Sequence, residues 1–403
     1  MQSYISRPLY INKIIPYTGK NIIKVLTGQR RVGKSYMIYQ LIDYVRNKYQ
    51  GAVIVYINKE LHEYDHIRDY HDLIKHIDTY ANNSPHPVFV FIDEIQDILD
   101  FQKALRSLQA KGGYDIYCTG SNANMLSGDL ATMLSGRYIE FKIFSLSYPE
   151  FCRFHSVESS SLSLQRYLRH GGLPFLVHIE DDDMVVFDYL KNIYATILFK
   201  DVVARHEVRN VAFLERLVEF LANNTGSIVS AKKISDFLKS QKINISPNVV
   251  LNYLSYLTQA FFIFKVQRME ISGKKIFELG EKYYFEDLGL RHAIGGFNQP
   301  DINKIIENIV YLHLRMAGFD VWVGLLNPGE VDFVCRRHDQ VLYIQAAYLI
   351  PDDKVRQREF GNLMAIEDNY QKIVVSMDPL AGGTVKGILH MHLSDFLYQV
   401  FEL

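Results

Sequence analysis

Residues 28–35 read GQRRVGKS, between an apolar run at 22–27 and a helix-like run at 35–45. The octapeptide fits the spacing GxxxxGK[ST] in a strand–loop–helix context. Its glycines let backbone N–H groups surround a phosphate at the start of a helix, where the helix dipole favours anions. Lys34 is expected on the β- and γ-phosphate oxygens and Ser35 on Mg²⁺. We therefore predict a nucleotide phosphate site formed by Gly28, Gln29, Arg30, Arg31, Val32, Gly33, Lys34 and Ser35.

Two carboxylates follow the next strongly apolar run, Val88–Ile92, which has the length of a buried strand. Asp93, at the end of that strand, is expected to hold Mg²⁺ through water. Glu94 is expected to polarise the attacking water as a general base. A hydrophobic run that ends in Asp-Glu is common by itself, but behind a phosphate loop it predicts hydrolysis of the nucleotide.

A third polar stretch, Thr119-Gly120-Ser121-Asn122, ends the strand predicted at Tyr114–Thr119. If this strand lies between those that carry Lys34 and Asp93, it aims Ser121 or Asn122 at the γ-phosphate. Such a side chain helps to position the attacking water. The alternative is a simple turn.

Arg137 lies directly before the strand predicted at Tyr138–Ile143. An arginine near a subunit edge can stabilise the charge of a phosphoryl-transfer transition state, from its own subunit or from a neighbour. The alternative for Arg137 is a structural salt bridge.

The spacing of these runs predicts an α/β fold. Short apolar runs separated by helix-length segments indicate βαβ units and a parallel sheet that is covered on both faces. Helical patterns then replace strands between about Leu146 and Asn224. The predicted strands of the sheet are Ile22–Thr27, Ala52–Ile57, Val88–Ile92, Tyr114–Thr119 and Tyr138–Ile143.

Five segments carry a family resemblance: GQRRVGKS, VFVFIDEIQ, CTGSNANML, LSGRYIEFKIFSLSYPEF and RHGGLPFLV. They resemble a widespread group of predicted AAA+-superfamily ATPases of bacteria and archaea, whose C-terminal domain of unknown function resembles restriction endonucleases. The resemblance covers nearly the whole chain. It implies Lys34, Ser35, Asp93 and Glu94 as ATP-site residues, Asn122 as the sensor, Arg137 as the arginine finger, and Gly171–Pro174 in a helical lid.

Residues 225–284 suggest a winged-helix domain. Two helix patterns, at 230–238 and 245–254, precede a candidate wing hairpin at Phe261–Val266 and Lys275–Glu278. Nine Lys/Arg against four Asp/Glu in residues 225–282 leave a surplus of five positive charges. The second helix of a winged helix can enter the major groove of DNA, although such domains also bind proteins. DNA is therefore a candidate partner of residues 225–282.

Residues 285–403 have the layout of a PD-(D/E)xK nuclease core. Glu307 opens a helix, Asp332 lies in the strand GEVDFV, and the strand LYIQAAY follows. Gln345 stands where such a nuclease has its second acidic ligand, and Ala347 where it has its lysine. We therefore expect a nuclease-like fold without nuclease chemistry.

Composition narrows the class of protein. Its 403 residues suggest two to three domains, and a hydrophobic share of 48% with a net charge of −1 is typical of a globular protein. The chain has no apolar run long enough for a transmembrane helix and no signal-peptide pattern, and its three cysteines lack CxxC spacing. These features favour a reduced, cytoplasmic protein. His62–His66 reads HExxH, but its position just after a predicted strand disfavours a zinc protease.

Four domains are thus predicted: a P-loop domain (1–145), a helical lid or connector (146–224), a winged-helix-like domain (225–284) and a degenerate nuclease-like domain (285–403). The leading hypothesis is an Mg²⁺-dependent ATPase that couples its nucleotide state to DNA or to an unknown protein partner, with homo-oligomerisation as an option. The alternatives are a nucleotide-gated DNA-binding regulator with little turnover and an ATP-driven nuclease.

Overall fold

A computed structural model describes residues 4–81, 84–123, 134, 136–273 and 275–403, apart from the side chains of residues 277–279. The chain divides into two compact units. The first comprises Met1–Phe144 with Gln259–Phe261, and the second comprises Ser145–Thr258 with Phe262–Leu403. Among the described residues, no helix has the length and apolar character needed to cross a bilayer.

The first unit is built on a five-stranded parallel sheet in the order β2-β3-β4-β1-β5. The strands β1 and β3 are buried along their whole length, because helices cover both faces of the sheet. This confirms the predicted α/β fold, and β4 lies between β1 and β3 as expected. The strands are β1 Ile23–Thr27, β2 Val53–Asn58, β3 Val88–Asp93, β4 Tyr114–Gly120 and β5 Tyr138–Lys142. Its helices are α1 Pro8–Ile14, α2 Lys34–Lys48, α3 Tyr70–Ala81 and α4 Phe101–Lys111.

The second unit begins with helices, as the pattern after Leu146 predicts. Two of them start with a capping box, which satisfies the first N–H groups of the helix. A π-helical stretch, Ile197–Ala204, directly continues the helix Asp183–Thr196. The helices are α5 Tyr148–Phe154, α6 Ser161–His170, α7 Asp183–Thr196, α8 Val211–Asn223, α9 Ala231–Ser240 and α10 Pro247–Gln259.

The glycine pair in RHGGLPF is explained by a buried carboxylate. Asp287 accepts a hydrogen bond from the N–H of Gly172 at 2.7 Å. A Cβ atom on Gly171, whose φ is +78°, would lie 2.4 Å from Asp287 Oδ1. Only glycine fits there, so this part of the predicted lid segment is anchored by Asp287 within the second unit.

An eight-stranded mixed sheet follows in the order β12-β13-β11-β10-β9-β8-β6-β7. Its strands are β6 Ile263–Glu270, β7 Ile276–Phe285, β8 Asp320–Leu326, β9 Gly329–Arg337, β10 Gln340–Ala347, β11 Gln371–Ser376, β12 Thr384–Val385 and β13 Ile388–His392. Its helices are α11 Leu288–Gly295, α12 Ile302–Met316, α13 Asp353–Met364 and α14 Leu393–Gln399.

The predicted wing hairpin belongs to this sheet. β6 and β7 pair antiparallel, and β6 also pairs parallel with β8. Residues 225–284 and 285–403 therefore share one sheet, and the helices α9 and α10 precede it. The division into four domains stays a prediction.

Candidate functional site

The phosphate loop has the backbone that its motif requires. Gly28 has φ +149°, and a Cβ atom there would lie 2.1 Å from the carbonyl oxygen of Ile143, so a side chain is excluded. Gly33, with φ +96°, caps α2, which begins at Lys34. Lys34 is buried, and its Nζ donates to the carbonyls of Gly28 (3.0 Å) and Gln29 (2.9 Å). The loop thus brings a buried ammonium group to the start of a helix.

Arg7 supports this loop from the N-terminal segment. It is 2% exposed, and its Nη1 donates to the carbonyls of Val32 (2.9 Å) and Phe144 (3.0 Å). Its backbone N–H donates to Gln40 on α2 at 2.9 Å. The sequence gives no signal for this role, because Arg7 lies far from the motif in sequence.

Asp93 lies at the carboxyl end of β3, buried beside the loop. Burial raises the pKa of this carboxyl above its ordinary value, and hydrogen bonds from the hydroxyls of Ser35 and Thr119 oppose that rise. Its Oδ2 is buried and accepts no hydrogen bond from the described residues. A hydroxyl next to a carboxylate with an unused oxygen is a donor set that suits Mg²⁺.

Glu94 is fixed through both its backbone and its carboxylate. Its φ of +54° is left-handed, and its N–H donates to Thr119 Oγ1 at 2.9 Å. Its Oε1 lies 4.0 Å from Lys34 Nζ, while its Oε2 accepts from Gln96 Nε2 and, at 3.3 Å, from Ser121 Oγ. One carboxylate oxygen of Glu94 therefore faces Lys34 of the phosphate loop, and the other contacts Gln96 and Ser121.

The charge state of Glu94 follows from these neighbours. Burial alone would raise its pKa, but the positive charge of Lys34 and hydrogen bonds from Gln96 and Ser121, together with the charge of Arg30, hold the pKa below its ordinary value. Glu94 is thus a carboxylate at neutral pH, as a general base must be.

The polar end of β4 meets this acidic pair. Ser121 contacts Glu94, and Asn122 is buried at the same end of the strand. Thr119, to which the sequence predictions gave no role, donates its hydroxyl to Asp93 Oδ1. The sequence did contain a signal for this contact, because a hydroxyl side chain near the carboxyl end of a strand predicted beside β3 can reach the end of β3.

Arg137 is exposed and lies at the amino ends of the parallel strands, whereas Asp93 and Glu94 lie at their carboxyl ends. Its carbonyl accepts the N–H of Ile23, the first residue of β1, at 2.9 Å. Lys34 follows the opposite end of β1, which, at about 3.3 Å per residue, is roughly 13 Å away. The structure therefore does not bring Arg137 together with the phosphate loop of its own chain.

The HExxH segment lacks the long helix of a zinc protease. His62–Tyr64 is a single 3₁₀ turn, and the side chain of His62 is 98% exposed. Within the described residues, no group of three or more His, Cys, Asp or Glu side chains is arranged to hold a metal ion.

The nuclease-like positions of the second unit surround a lysine. Lys282, on β7, lies 2.8 Å from Glu307, 2.8 Å from Glu330 and 3.7 Å from Asp332. Its side chain is 5% exposed, and although burial opposes its charge, the three carboxylates raise its pKa. Asp332 also accepts the N–H of Ala346 at 2.9 Å.

These residues do not fit a nuclease metal centre. An ammonium group already lies among Glu307, Glu330 and Asp332, where a nuclease would hold its cation. Gln345, at the position of the second acidic ligand, is a neutral amide and offers no negative charge, and its Nε2 donates to Glu359 on α13 at 3.1 Å.

The basic surplus of residues 225–282 is smaller on the surface than in the sequence. Lys282 is buried among carboxylates, and Lys265 pairs with Glu281 at 2.6 Å. Lys282 therefore does not reach the surface, and the charge of the exposed Lys265 is balanced by its ion pair, which corrects the simple charge count. Exposed lysines remain on α9 and in the loop after it: Lys232, Lys233, Lys239 and Lys242.

Two family models match the chain, and proteins of known sequence or structure are similar to it. Residues 20–152 match a family described as an AAA domain, and residues 161–301 match a domain of unknown function, DUF8612. An uncharacterized protein of Haemophilus influenzae is 36% identical over 406 residues, which cover 99% of this chain and 100% of that protein. An uncharacterized protein of Methanocaldococcus jannaschii is 32% identical over 381 residues, which cover 90% of this chain and 82% of that protein.

Two solved structures are also similar. A Walker-type ATPase of Pyrococcus abyssi is 14% identical and has a TM-score of 0.49, with 72% of this chain and 96% of that chain covered. The Orc1 protein of Aeropyrum pernix, in complex with DNA, is 11% identical and has a TM-score of 0.34, with 75% and 94% covered.

The phosphate loop, the Asp93-Glu94 pair, the strand order and the AAA match at residues 20–152 agree with one another. Together with the two relatives that match along most of their length, they identify the chain as a member of the AAA+ P-loop ATPase family.

Proposed function

We propose that the protein is an Mg²⁺-dependent ATPase that converts ATP and water to ADP and phosphate. The observation that carries this proposal is the meeting of Lys34, Ser35, Asp93 and Glu94 at the carboxyl edge of β1 and β3. A phosphate loop, a metal-binding pair and a buried carboxylate base are the parts that ATP hydrolysis needs.

Ser35 and Asp93 would hold Mg²⁺. The unused oxygen of Asp93 and its contact with the Ser35 hydroxyl support this role. Once bound, the cation neutralises charge on the β- and γ-phosphates. These two residues are placed by β3 and α2, so the fold itself brings them together.

The other site residues act on the phosphates and on the attacking water. The N–H groups of residues 28–35 cradle the phosphates at the start of α2, and Lys34 adds a positive charge. Glu94 accepts a proton from the water, and Asn122 or Ser121 helps to orient it.

Arg137 would act on the ATP of a neighbouring copy of the chain. Its exposure and its position at the opposite edge from Lys34 support action between subunits and disfavour action within one chain. The proposal therefore includes a homo-oligomer in which Arg137 completes the site of the next protomer.

The second unit would couple the nucleotide state to a partner. Binding of DNA is the second candidate function. The exposed lysines Lys232, Lys233, Lys239 and Lys242 favour DNA, because they can neutralise phosphates without reading the bases. An unknown protein partner is the alternative.

Steady-state phosphate release tests these proposals. Turnover that needs Mg²⁺ and exceeds that of Glu94→Gln supports the ATPase, whereas ATP binding with no turnover, with or without duplex DNA, favours the gated DNA-binding regulator. Incubation of labelled DNA and RNA with Mg²⁺ or Mn²⁺ and ATP tests the nuclease alternative. We expect no cleavage, and cleavage that disappears in Asp332→Ala would favour a nuclease.

A further inference from the structure

Gln96 lies in the 3₁₀ turn Ile95–Asp97, directly after the acidic pair. Its Nε2 donates to Glu94 Oε2. Because a carboxylate only accepts hydrogen bonds, the amide must present its NH₂ group to Glu94, which leaves its oxygen on the other side. That oxygen is buried and accepts no hydrogen bond from the described residues.

We propose that Gln96 is a positioning residue for ATP hydrolysis, an inference that rests on the proposed ATPase. It ties down Oε2 of Glu94, so that Oε1, on the side of Lys34, becomes the oxygen that accepts the proton. Its own amide oxygen is a second acceptor beside Glu94 for a hydrogen of the same water.

The different surroundings of the two Glu94 oxygens support this assignment. Oε2 accepts from both Gln96 and Ser121, whereas Oε1 lies 4.0 Å from Lys34 Nζ. The backbone of Glu94 is held separately by Thr119. A base acts efficiently only when its reactive atom is fixed near the proton that it takes, so a tether on the other oxygen favours the reaction.

The unpartnered amide oxygen of Gln96 is an independent observation. A buried acceptor without a donor is costly, so such an atom indicates a ligand that donates to it. An attacking water has two hydrogens. One can go to Glu94 while the other is held by Gln96, a role that glutamine has in some GTPases.

The step balances with these groups. The water oxygen forms a bond to the γ-phosphorus, and one water proton passes to Glu94 Oε1. The bond between the γ-phosphorus and the bridging oxygen breaks, and ADP leaves with that electron pair. Glu94 then returns its proton to solvent or to phosphate, and Gln96 is unchanged.

Kinetics of Gln96→Ala and Gln96→Met test the inference. Gln96→Met has nearly the same length but cannot donate a hydrogen bond to Glu94. Gln102→Ala, a half-buried glutamine on α4, is the matched control. We expect both Gln96 variants to lower kcat by about 10- to 100-fold, with KM for ATP and the melting temperature unchanged.

The split between kcat and KM separates positioning from a merely structural role. A structural defect would lower the melting temperature or raise KM for ATP together with the loss of kcat, whereas Gln102→Ala should leave all three quantities unchanged. Wild-type kcat in Gln96→Ala beside an inactive Glu94→Gln would overturn this inference alone. Absence of ATP turnover in the wild type, or full activity of Glu94→Gln, would overturn the proposed function and this inference with it.

Discussion

Thr119 donates its hydroxyl to the carboxylate of Asp93 and thereby ties the end of β4 to the end of β3. The same hydroxyl accepts the N–H of Glu94 at 2.9 Å. One side chain on the inserted strand thus fixes the proposed Mg²⁺ ligand and the backbone of the proposed base. Because Thr119 holds the side chain of Asp93 but only the backbone of Glu94, one carboxylate can serve as the proposed metal ligand and the other as the proposed base.

Arg137 and Glu94 should complement each other between subunits. We expect turnover per protomer to rise with protein concentration, and Arg137→Ala to abolish this rise without weakening ATP binding. A mixture of Arg137→Ala and Glu94→Gln should be more active than the sum of the two proteins, because the intact arginine of one variant can reach the intact base of the other. Arg106→Ala, an exposed arginine on α4, is the control. Activity of the mixture equal to the sum would rule out action between subunits.

Binding to DNA should depend on the exposed lysines near α9. Reversal of Lys232, Lys233 and Lys242 to Glu should weaken binding to all duplex sequences alike and flatten its dependence on salt, because phosphate contacts release counterions. The control reverses exposed lysines of the first unit, Lys48, Lys103 and Lys111, and so changes the net charge equally. Fluorescence anisotropy at several salt concentrations measures both effects. Equal losses in the two triple variants would show a general charge effect instead of a binding surface.

Lys282 should be important for stability. Lys282→Met would leave Glu307, Glu330 and Asp332 crowded without their shared cation, at a cost of about 3–5 kcal/mol. Lys265→Met is the matched control on the same hairpin, because the side chain of Lys265 is 39% exposed and its ion pair should contribute less than about 1 kcal/mol. Urea unfolding of both variants measures the difference. Similar small losses would show that the buried lysine is not needed to balance the carboxylates.

His313 should make the second unit sensitive to acid. It is fully buried on α12, accepts the N–H of Tyr148 at 2.9 Å and donates to Ile309, and burial lowers its pKa to about 4. Folding therefore favours the neutral ring. Its contribution is complete above the ordinary pKa of 6.5 and is lost as the pH falls toward 4, by about 3 kcal/mol.

The variant His313→Gln, which cannot titrate, isolates this effect. The difference in unfolding free energy between wild type and variant should narrow as the pH falls from 6.5 to 4. Only the wild type loses stability in this range, because its buried imidazole resists protonation that the unfolded chain accepts. Shifts of other titrating groups cancel in that difference. A difference that is constant with pH would contradict the assignment.

The sequence predicted the first sheet well because its central strands, β1, β3 and β4, are buried along nearly their whole length. Such strands read as continuous apolar runs, and their ends fell within a residue or two of the prediction. The hairpin β6–β7 was predicted, but the parallel pairing of β6 with β8 was not, because a hairpin pattern shows only its own pairing. The two paired strands lie some fifty residues apart, and nothing in the local sequence of either strand indicates its partner.

The site divides in the same way. Lys34, Ser35, Asp93 and Glu94 follow from motifs with fixed spacing. The contacts of Thr119 and Gln96 depend on strand order and on a 3₁₀ turn, which spacing does not reveal. Lys282 was counted as part of a basic surface, although it lies among carboxylates, because a charge count contains no information about pairing.

The central claim is that Lys34 holds the phosphates of ATP and Glu94 activates the water. The most direct test measures ATP binding and phosphate release side by side for Lys34→Ala and Glu94→Gln. We predict that Lys34→Ala loses tight binding, whereas Glu94→Gln binds ATP like the wild type and hydrolyses it about 10²- to 10⁴-fold more slowly. Hydrolysis by Glu94→Gln at the wild-type rate would contradict the account.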